Sequence, residues 1–289
     1  MALGGRVRGV SGAAGRRSLL VAVAALAWGA GGAMAVSRTS STHAAHLYWP
    51  NNGAGTIVEA NLDGTSARTI ARGQSSPLGV AVSPWHLYWT NSYAGTVVEA
   101  HLNGTGARTI ARGQSSPVGV AVSRWHLYWA NSYAGTIVET NPNGTGARTI
   151  ARGQGSPDGV AVSRGHLYWA NSYTGTIVEA NLNGTGAKTI ATGQDHPWGV
   201  AVGSGHLYWT DPTGGTVTEA NLNGTEAKTI AKHQDYPRGV AVGGGHLYWT
   251  HYGSTPGHPI AAGIIEANLN GTAAKTIARR QFSAGVAVG

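Results

Sequence analysis

The chain of 289 residues contains no cysteine. Disulfide bonds, thiolate metal sites and a cysteine nucleophile are therefore excluded. Charged residues are also scarce, at 11%, yet the hydrophobic share of 42% argues against a disordered chain. Glycine, in contrast, occurs 45 times, which favours many short strands joined by tight turns. The length is sufficient for one large all-β domain.

The N-terminal residues have the pattern of an export signal. Four arginines precede an apolar run at 19–28, and the small-residue motif Ala33-Met34-Ala35 follows. This order predicts a secretory signal peptide over residues 1–35, followed by a short linker at 36–45. A membrane anchor is the alternative, but the run is short and interrupted by glycines. We therefore expect a secreted, periplasmic or wall-associated protein with no stable membrane span after cleavage.

Cleavage would also change the charge balance of the protein. The first 35 residues hold four arginines and no acidic residue, so the formal net charge falls from +8 to +4. The remaining sequence has no dense cluster of lysine and arginine. We therefore expect no nucleic-acid partner.

A repeat of 40 residues dominates the rest of the sequence. Each repeat contains four short runs rich in Val, Ile, Thr, Tyr and Trp, separated by turn-forming residues, and no helical pattern of ten or more residues. Four strands per unit predict an all-β fold, a six-bladed β-propeller over residues 46–289 with four antiparallel strands in each blade. The tetrapeptide His-Leu-Tyr-Trp marks the six repeats, beginning at His46, His86, His126, His166, His206 and His246.

The two ends of the repeat region predict how the ring closes. The region opens with the second strand type at His46 and finishes with the first strand type at 285–288. One blade is therefore expected to combine three N-terminal strands with one C-terminal inner strand. This arrangement would leave no open seam in the ring.

An Asn-Gly or Asp-Gly dipeptide lies between the third and fourth strand of every repeat. If each dipeptide forms a two-residue hairpin loop, Glu59 lies opposite Arg68. The same register gives the pairs Glu99–Arg108, Glu139–Arg148, Glu179–Lys188, Glu219–Lys228 and Glu266–Lys275.

Several segments resemble the Tyr-Trp-Thr-Asp repeat of low-density-lipoprotein-receptor-type propellers. They include 87–91 (Leu-Tyr-Trp-Thr-Asn), 207–211 (Leu-Tyr-Trp-Thr-Asp) and 77–82 (Pro-Leu-Gly-Val-Ala-Val). The resemblance covers residues 45–289 and implies a six-bladed propeller. The motif's aspartate is retained only at Asp211, and the chain has no cysteine-rich module. We therefore expect an exported microbial relative rather than a receptor.

The repeated aromatic and histidine residues are predicted to be structural. The six histidines would lie on a circle too wide for a single metal ion. The six Tyr-Trp pairs are expected to pack between blades, where large aromatic side chains bury most area.

The variable positions are the candidate binding residues. The residue before each inner strand differs between repeats, and we call these six the rim positions: Leu78, Val118, Asp158, Trp198, Arg238 and Ala284. They are expected to surround one mouth of the central channel. Loops between second and third strands should share that face, and they carry Tyr93, Tyr133, Tyr173 and Tyr252. Unselected loop variation is the alternative explanation.

No nucleophile elbow, phosphate-binding loop or His-Glu metal motif is present. The leading hypothesis is a secreted, monomeric, non-enzymatic binding or scaffold propeller that needs no cofactor. Its rim would bind an unidentified protein, peptide, small molecule or glycan. One alternative is a metal-dependent hydrolase or lyase of the propeller lactonase type that uses Asp158, Asp195 and Asp235. Another is a purely structural cell-surface repeat protein.

Overall fold

The computed structural model describes residues 45–163, 165–252 and 262–289. The predicted signal peptide at 1–35, the linker up to residue 44 and most of the loop that follows Tyr252 lie outside the described residues. Within the described part, 24 strands form six four-stranded antiparallel sheets, as predicted. No helix there has the length and apolar character needed to cross a membrane.

Each sheet is one blade, and its strands are given from the inside outwards. Blade 1 comprises β4 (Pro77–Val82), β5 (His86–Asn91), β6 (Thr96–His101) and β7 (Arg108–Ala111). Blade 2 comprises β8 (Pro117–Val122), β9 (Leu127–Asn131), β10 (Thr136–Thr140) and β11 (Arg148–Ala151). Blade 3 comprises β12 (Pro157–Ser163), β13 (His166–Asn171), β14 (Thr176–Asn181) and β15 (Lys188–Ala191).

The other three blades have the same order of strands. Blade 4 comprises β16 (Val200–Gly203), β17 (His206–Asp211), β18 (Thr216–Asn221) and β19 (Lys228–Ala231). Blade 5 comprises β20 (Pro237–Gly243), β21 (His246–His251), β22 (Gly263–Asn268) and β23 (Lys275–Arg279). Blade 6 comprises β24 (Ala287–Val288), β1 (His46–Asn51), β2 (Thr56–Asn61) and β3 (Arg68–Ala71).

Blade 6 joins the two ends of the propeller. Its inner strand β24 pairs with β1, so that Leu47 lies opposite Val288. The His46 amide donates to the Gly289 carbonyl at 2.7 Å, and the Gly289 amide donates back at 3.0 Å. The closure predicted from the repeat order is confirmed.

Glycines in the inner strands bring neighbouring blades close together. A Cβ atom on Gly79 would lie 2.2 Å from the Val118 carbonyl oxygen of the next blade. A Cβ on Gly285 would lie 2.5 Å from the Leu78 carbonyl oxygen, so the last inner segment of the chain contacts blade 1 in the same way. Such distances are shorter than van der Waals contact, so a side chain cannot be accommodated without movement. The equivalent glycines are Gly119, Gly159, Gly199 and Gly239.

The Tyr-Trp pairs form the core between blades, as predicted. Tyr168 of blade 3 packs with Trp209 of blade 4, and both side chains are buried. The Trp209 indole N–H donates to Gln194 Oε1 at 2.7 Å, which satisfies its polar atom. The same arrangement recurs around the ring.

A buried glutamate in each third strand binds the strands on either side. The predicted register is confirmed, because Glu59 lies opposite Arg68 and forms an ion pair with it. The Tyr48 hydroxyl donates to the same carboxylate at 3.0 Å. In blade 3, His166 Nδ1 lies 2.9 Å from Glu179. Five of the six repeated histidines lie beside their own blade's glutamate.

The turns that carry the Asn-Gly and Asp-Gly dipeptides are longer than predicted. The Asn61 amide donates to the Thr65 carbonyl and the Gly64 amide donates to the Asn61 carbonyl, so three residues form the loop. This geometry alone would place Glu59 opposite residue 67. An additional residue, Ser66, has a φ of 56° and shifts the fourth strand by one position. The two departures cancel, which explains why the assumed two-residue loop gave the correct pairs.

Candidate functional site

The rim positions and the loops between second and third strands lie on one face of the propeller. Pro77 at the start of β4 pairs with Asn91 at the end of β5, so the loop after β5 leaves the blade beside the rim. The same pairing recurs in β8, β12 and β20. We call this surface the rim face. The turns between first and second strands lie on the opposite face.

The central channel is too narrow to enclose an organic ligand. Five of the six rim positions line it together with the glycines and valines of the inner strands, and its volume is about 60 Å³. Pockets for small organic ligands measure on the order of 300–1,000 Å³. Any such ligand therefore has to bind at the mouth of the channel.

The sixth rim residue, Arg238, lies within a group of aromatic rings. Its Cζ atom is 3.8 Å from the ring centre of Tyr252 and 4.4 Å from that of Trp198. A third ring, Tyr236, lies at 5.4 Å. Burial lowers the pKa of Arg238 from its usual value, although a guanidinium group stays charged in proteins. We call Arg238 and these three rings the arginine–aromatic cluster.

Asp158 is the buried acid of the rim, with only 2% of its surface exposed. Burial raises the pKa of Asp158 to about 6, although the hydroxyl groups of Ser172 and Ser132 and the charge of Arg238 favour the ionised form. Its carboxyl group therefore gains or loses a proton close to neutral pH. The sequence identified Asp158 as a rim residue but gave no sign of this burial.

The loop tyrosines fall into two groups. Tyr133 and Tyr173 line a groove of about 570 Å³ with His196, between blades 2 and 3 on the rim face. Tyr93 is 89% exposed and Tyr252 contacts Arg238. Tyr252 thus belongs to the arginine–aromatic cluster, Tyr133 and Tyr173 belong to this groove, and Tyr93 belongs to neither.

The three carboxylates of the metal-dependent alternative have different neighbours. Asp195 lies next to His196, with 3.1 Å between Oδ1 and Nδ1, and it raises the pKa of Asp211. The charge of Asp235 raises the pKa of His251 in blade 5, against the larger lowering that burial causes. Within residues 45–163, 165–252 and 262–289, no group of three His, Asp or Glu residues is arranged to hold a metal ion.

Asp211 replaces an asparagine that other blades use to bind a linker glutamine. In blade 1, Asn91 Nδ2 donates to Gln74 Oε1 at 3.1 Å. The ionised carboxylate of Asp211 cannot donate in this way, and its Oδ1 atom is buried without a hydrogen-bond partner in the described structure. Burial and the Asp195 carboxylate raise the pKa of Asp211 to about 6.

We expect Asp211→Asn to stabilise the protein, and more so at high pH. The raised pKa means that the folded state disfavours the ionised carboxylate. The resulting loss of unfolding free energy is absent below about pH 4, grows between about pH 4 and about pH 6, and is constant above. Two pKa units correspond to about 3 kcal/mol. The gain in unfolding free energy should be about 2–3 kcal/mol at about pH 8 and clearly smaller at about pH 4.

Urea-induced unfolding at the two pH values measures this difference. The converse variant Asn171→Asp places the same acid in blade 3 and should destabilise the protein, again more at high pH. Equal stability changes at both pH values would contradict the assignment.

Two exposed tryptophans were missed by the sequence reasoning. Trp85 and Trp125 lie in the turns between first and second strands of blades 1 and 2, on the face opposite to the rim. The sequence does distinguish them, because glycine occupies the same place in blades 3, 4 and 5. The variable positions predicted from the sequence lie before the inner strands and in the loops between second and third strands, and these turns were not among them.

Comparison with known proteins gives the fold. No protein-family model and no curated protein matches the sequence. Among solved structures, a chain from the crystal structure of a nidogen/laminin complex is similar with a TM-score of 0.75 and 23% identity, over 84% of this chain and 98% of that chain. Virginiamycin B lyase from Staphylococcus aureus is similar with a TM-score of 0.59 and 16% identity, over 71% of this chain and 73% of that chain. A streptogramin B lyase is similar with a TM-score of 0.58 and 14% identity, over 80% of this chain and 73% of that chain.

Proposed function

We propose that this chain is an exported, non-enzymatic binding propeller that holds a protein or peptide partner on its rim face. The observation that carries the proposal is the arginine–aromatic cluster at the channel mouth. Six nearly uniform blades form the frame, and residues that differ from blade to blade converge on this one place. A large fixed frame with a varied rim suits recognition.

The cluster has the composition of a protein-binding hot spot. Trp, Tyr and Arg are the residues that contribute most to binding energy at protein interfaces. Arg238 Nε is buried and has no hydrogen-bond partner within the described structure. Stacking between rings fixes the guanidinium plane and leaves donors along its edge for a carboxylate or carbonyl of the partner.

Two further features support this function. The groove beside Tyr133 and Tyr173 extends the available surface on the same face. The similar propeller in the nidogen/laminin structure belongs to a complex between proteins, so the fold is compatible with such a role. The resemblance is limited to the fold, and the partner of this chain is left open.

We expect the double variant Trp198→Ala, Arg238→Gln to lose peptide binding without losing stability. Short random peptides displayed on phage would be selected on the full-length protein, and the selected peptides measured by calorimetry. Affinity should fall at least tenfold in the double variant, since two hot-spot side chains are removed. The melting temperature should change by no more than about 4 °C.

Glu226→Gln serves as the matched control, because Glu226 is exposed on the opposite face. This variant should bind the selected peptides as the unchanged protein does. If the double variant also retains full affinity, the rim cluster is not the binding site.

A lyase or hydrolase is the second candidate, favoured by Asp158. A carboxyl group with a pKa of about 6 at a channel mouth is suited to general acid–base catalysis. Calorimetric titration with Ca²⁺, Mg²⁺ and Zn²⁺ tests the metal-dependent form of this candidate. Metal binding that disappears in Asp158→Asn would favour the enzyme over the binding protein.

A further inference from the structure

Trp85 and Trp125 give blades 1 and 2 a surface that the other described blades lack. The two side chains are 73% and 66% exposed, although large aromatic residues are normally buried. In blades 3, 4 and 5 the same place is taken by glycines with φ between 81° and 86°. A bulky residue is strained at such a φ, and neither tryptophan adopts it. The turns of blades 1 and 2 therefore have a different backbone that displays an indole.

A cleft of about 580 Å³ lies beside Trp85, between blades 1 and 2. Tyr88 of blade 1 and Val122, Arg124 and Pro142 of blade 2 are among the residues that line it. Its volume falls within the range of about 300–1,000 Å³ that small-ligand sites occupy.

A second departure from the repeat lies at this cleft. At four other blade interfaces, a leucine from the turn between third and fourth strands packs against the core: Leu62, Leu182, Leu222 and Leu269. Pro142 stands at that place between blades 1 and 2 and lines the cleft. The exposed Trp85 and the replaced leucine thus lie at one interface, although they come from different turns.

The free charge of the cleft is positive. The Arg124 guanidinium carbon lies 4.7 Å from the centre of the Trp125 ring and, within the described residues, forms no ion pair or hydrogen bond. A guanidinium group on an aromatic face keeps the N–H donors along its edge available for a carboxylate. Glu99, which lies near His86 of the cleft lining, is already paired with Arg108.

We propose that this cleft binds an acidic oligosaccharide. The flat face of the Trp85 indole carries negative charge density and suits the weakly positive C–H face of a sugar ring. Arg124 is placed to bind a carboxylate on the same chain of sugars through charge-assisted hydrogen bonds. A proline-rich peptide would also suit exposed aromatic rings, but it gives no role to the unpaired Arg124. The site lies on the opposite face from the rim, so its test does not depend on the outcome for the proposed function.

Calorimetry on the full-length protein tests the proposal with two probes, a hexamer of a uronic acid and a neutral hexamer of glucose. We expect the uronate hexamer to bind at least tenfold more tightly than the neutral one. Trp85→Ala should weaken uronate binding at least tenfold, and Trp85→Tyr should restore most of it because the flat face is retained. Arg124→Gln should remove the preference for the acidic hexamer.

Trp85 is exposed, so Trp85→Ala should leave the melting temperature within about 2 °C of the unchanged protein. A proline-rich peptide is the third probe, in competition with the uronate hexamer. The proposal is overturned if neither hexamer binds at millimolar concentration or if the neutral hexamer binds as well as the acidic one. It is also overturned if Trp85→Ala retains full affinity, or if only the peptide binds.

Discussion

Removing residues 284–289 is expected to destabilise the propeller more than any single substitution. The truncation deletes β24 and Val286, so β1 loses its inner partner and the core around Leu47 and Trp49 is opened to water. The contact between Gly285 and Leu78 that completes the ring is also lost. We expect a loss of at least about 5 kcal/mol, which lowers the melting temperature by about 10–20 °C. Differential scanning calorimetry on full-length and truncated protein measures the effect.

Adding the deleted strand as a separate peptide distinguishes the loss of ring closure from a general effect of shortening the chain. A synthetic peptide of residues 281–289 should bind the truncated protein and raise its melting temperature in a concentration-dependent way. A peptide with the same composition in scrambled order provides the control. If the truncated chain melts within about 2 °C of the full-length protein, the closing strand is not required for stability.

Gly159→Ala is expected to cost at least about 3 kcal/mol, because the inner ring has no room for a methyl group. The new Cβ would lie 2.3 Å from the Trp198 carbonyl oxygen and 2.7 Å from the Val200 amide nitrogen. Both atoms belong to the backbone of the next blade, so no side-chain movement relieves the overlap. The melting temperature should fall by about 6–12 °C in thermal unfolding.

Gly53→Ala is the matched control for this substitution. A Cβ at Gly53 meets only the Phe282 side chain, at an ordinary contact distance of 3.8 Å. Neither Gly53 nor Gly159 has a positive φ, so the two variants differ in available space and not in backbone strain. We expect Gly53→Ala to change stability by less than about 1 kcal/mol. Equal losses in the two variants would show that the inner ring tolerates side chains.

These two predictions concern the frame, and the proposed functions concern residues that depart from it. The glycines, Tyr-Trp pairs and buried glutamates recur from blade to blade. The glycines and the Tyr-Trp pairs contact the next blade, and each glutamate binds within its own blade. Trp198 and Arg238 on one face occur at single places in the ring, and on the other face the exposed tryptophans occur in blades 1 and 2 alone among the described turns. Substitutions in the frame should therefore change stability, whereas substitutions at these sites should change binding.

The sequence was sufficient to predict the frame. A period of 40 residues with four strand-like runs determines the number of blades, and the order of strand types at the two ends determines how the ring closes. Even the pairing of Glu59 with Arg68 was correct, although the turn was not. The three-residue loop and the left-handed Ser66 were invisible because their effects on the register cancel.

Only the tertiary structure decided which departures from the repeat meet in space. Trp198 and Tyr252 are far apart in sequence and come together on Arg238 because their blades are neighbours in a curved ring. The burial of Asp158 and the cleft beside Trp85 likewise depend on how adjacent blades pack. A repeat makes residues equivalent along the chain, and this follows from spacing alone. Contact between them depends on the curvature and packing of the blades, which cannot be deduced from the spacing of the repeats.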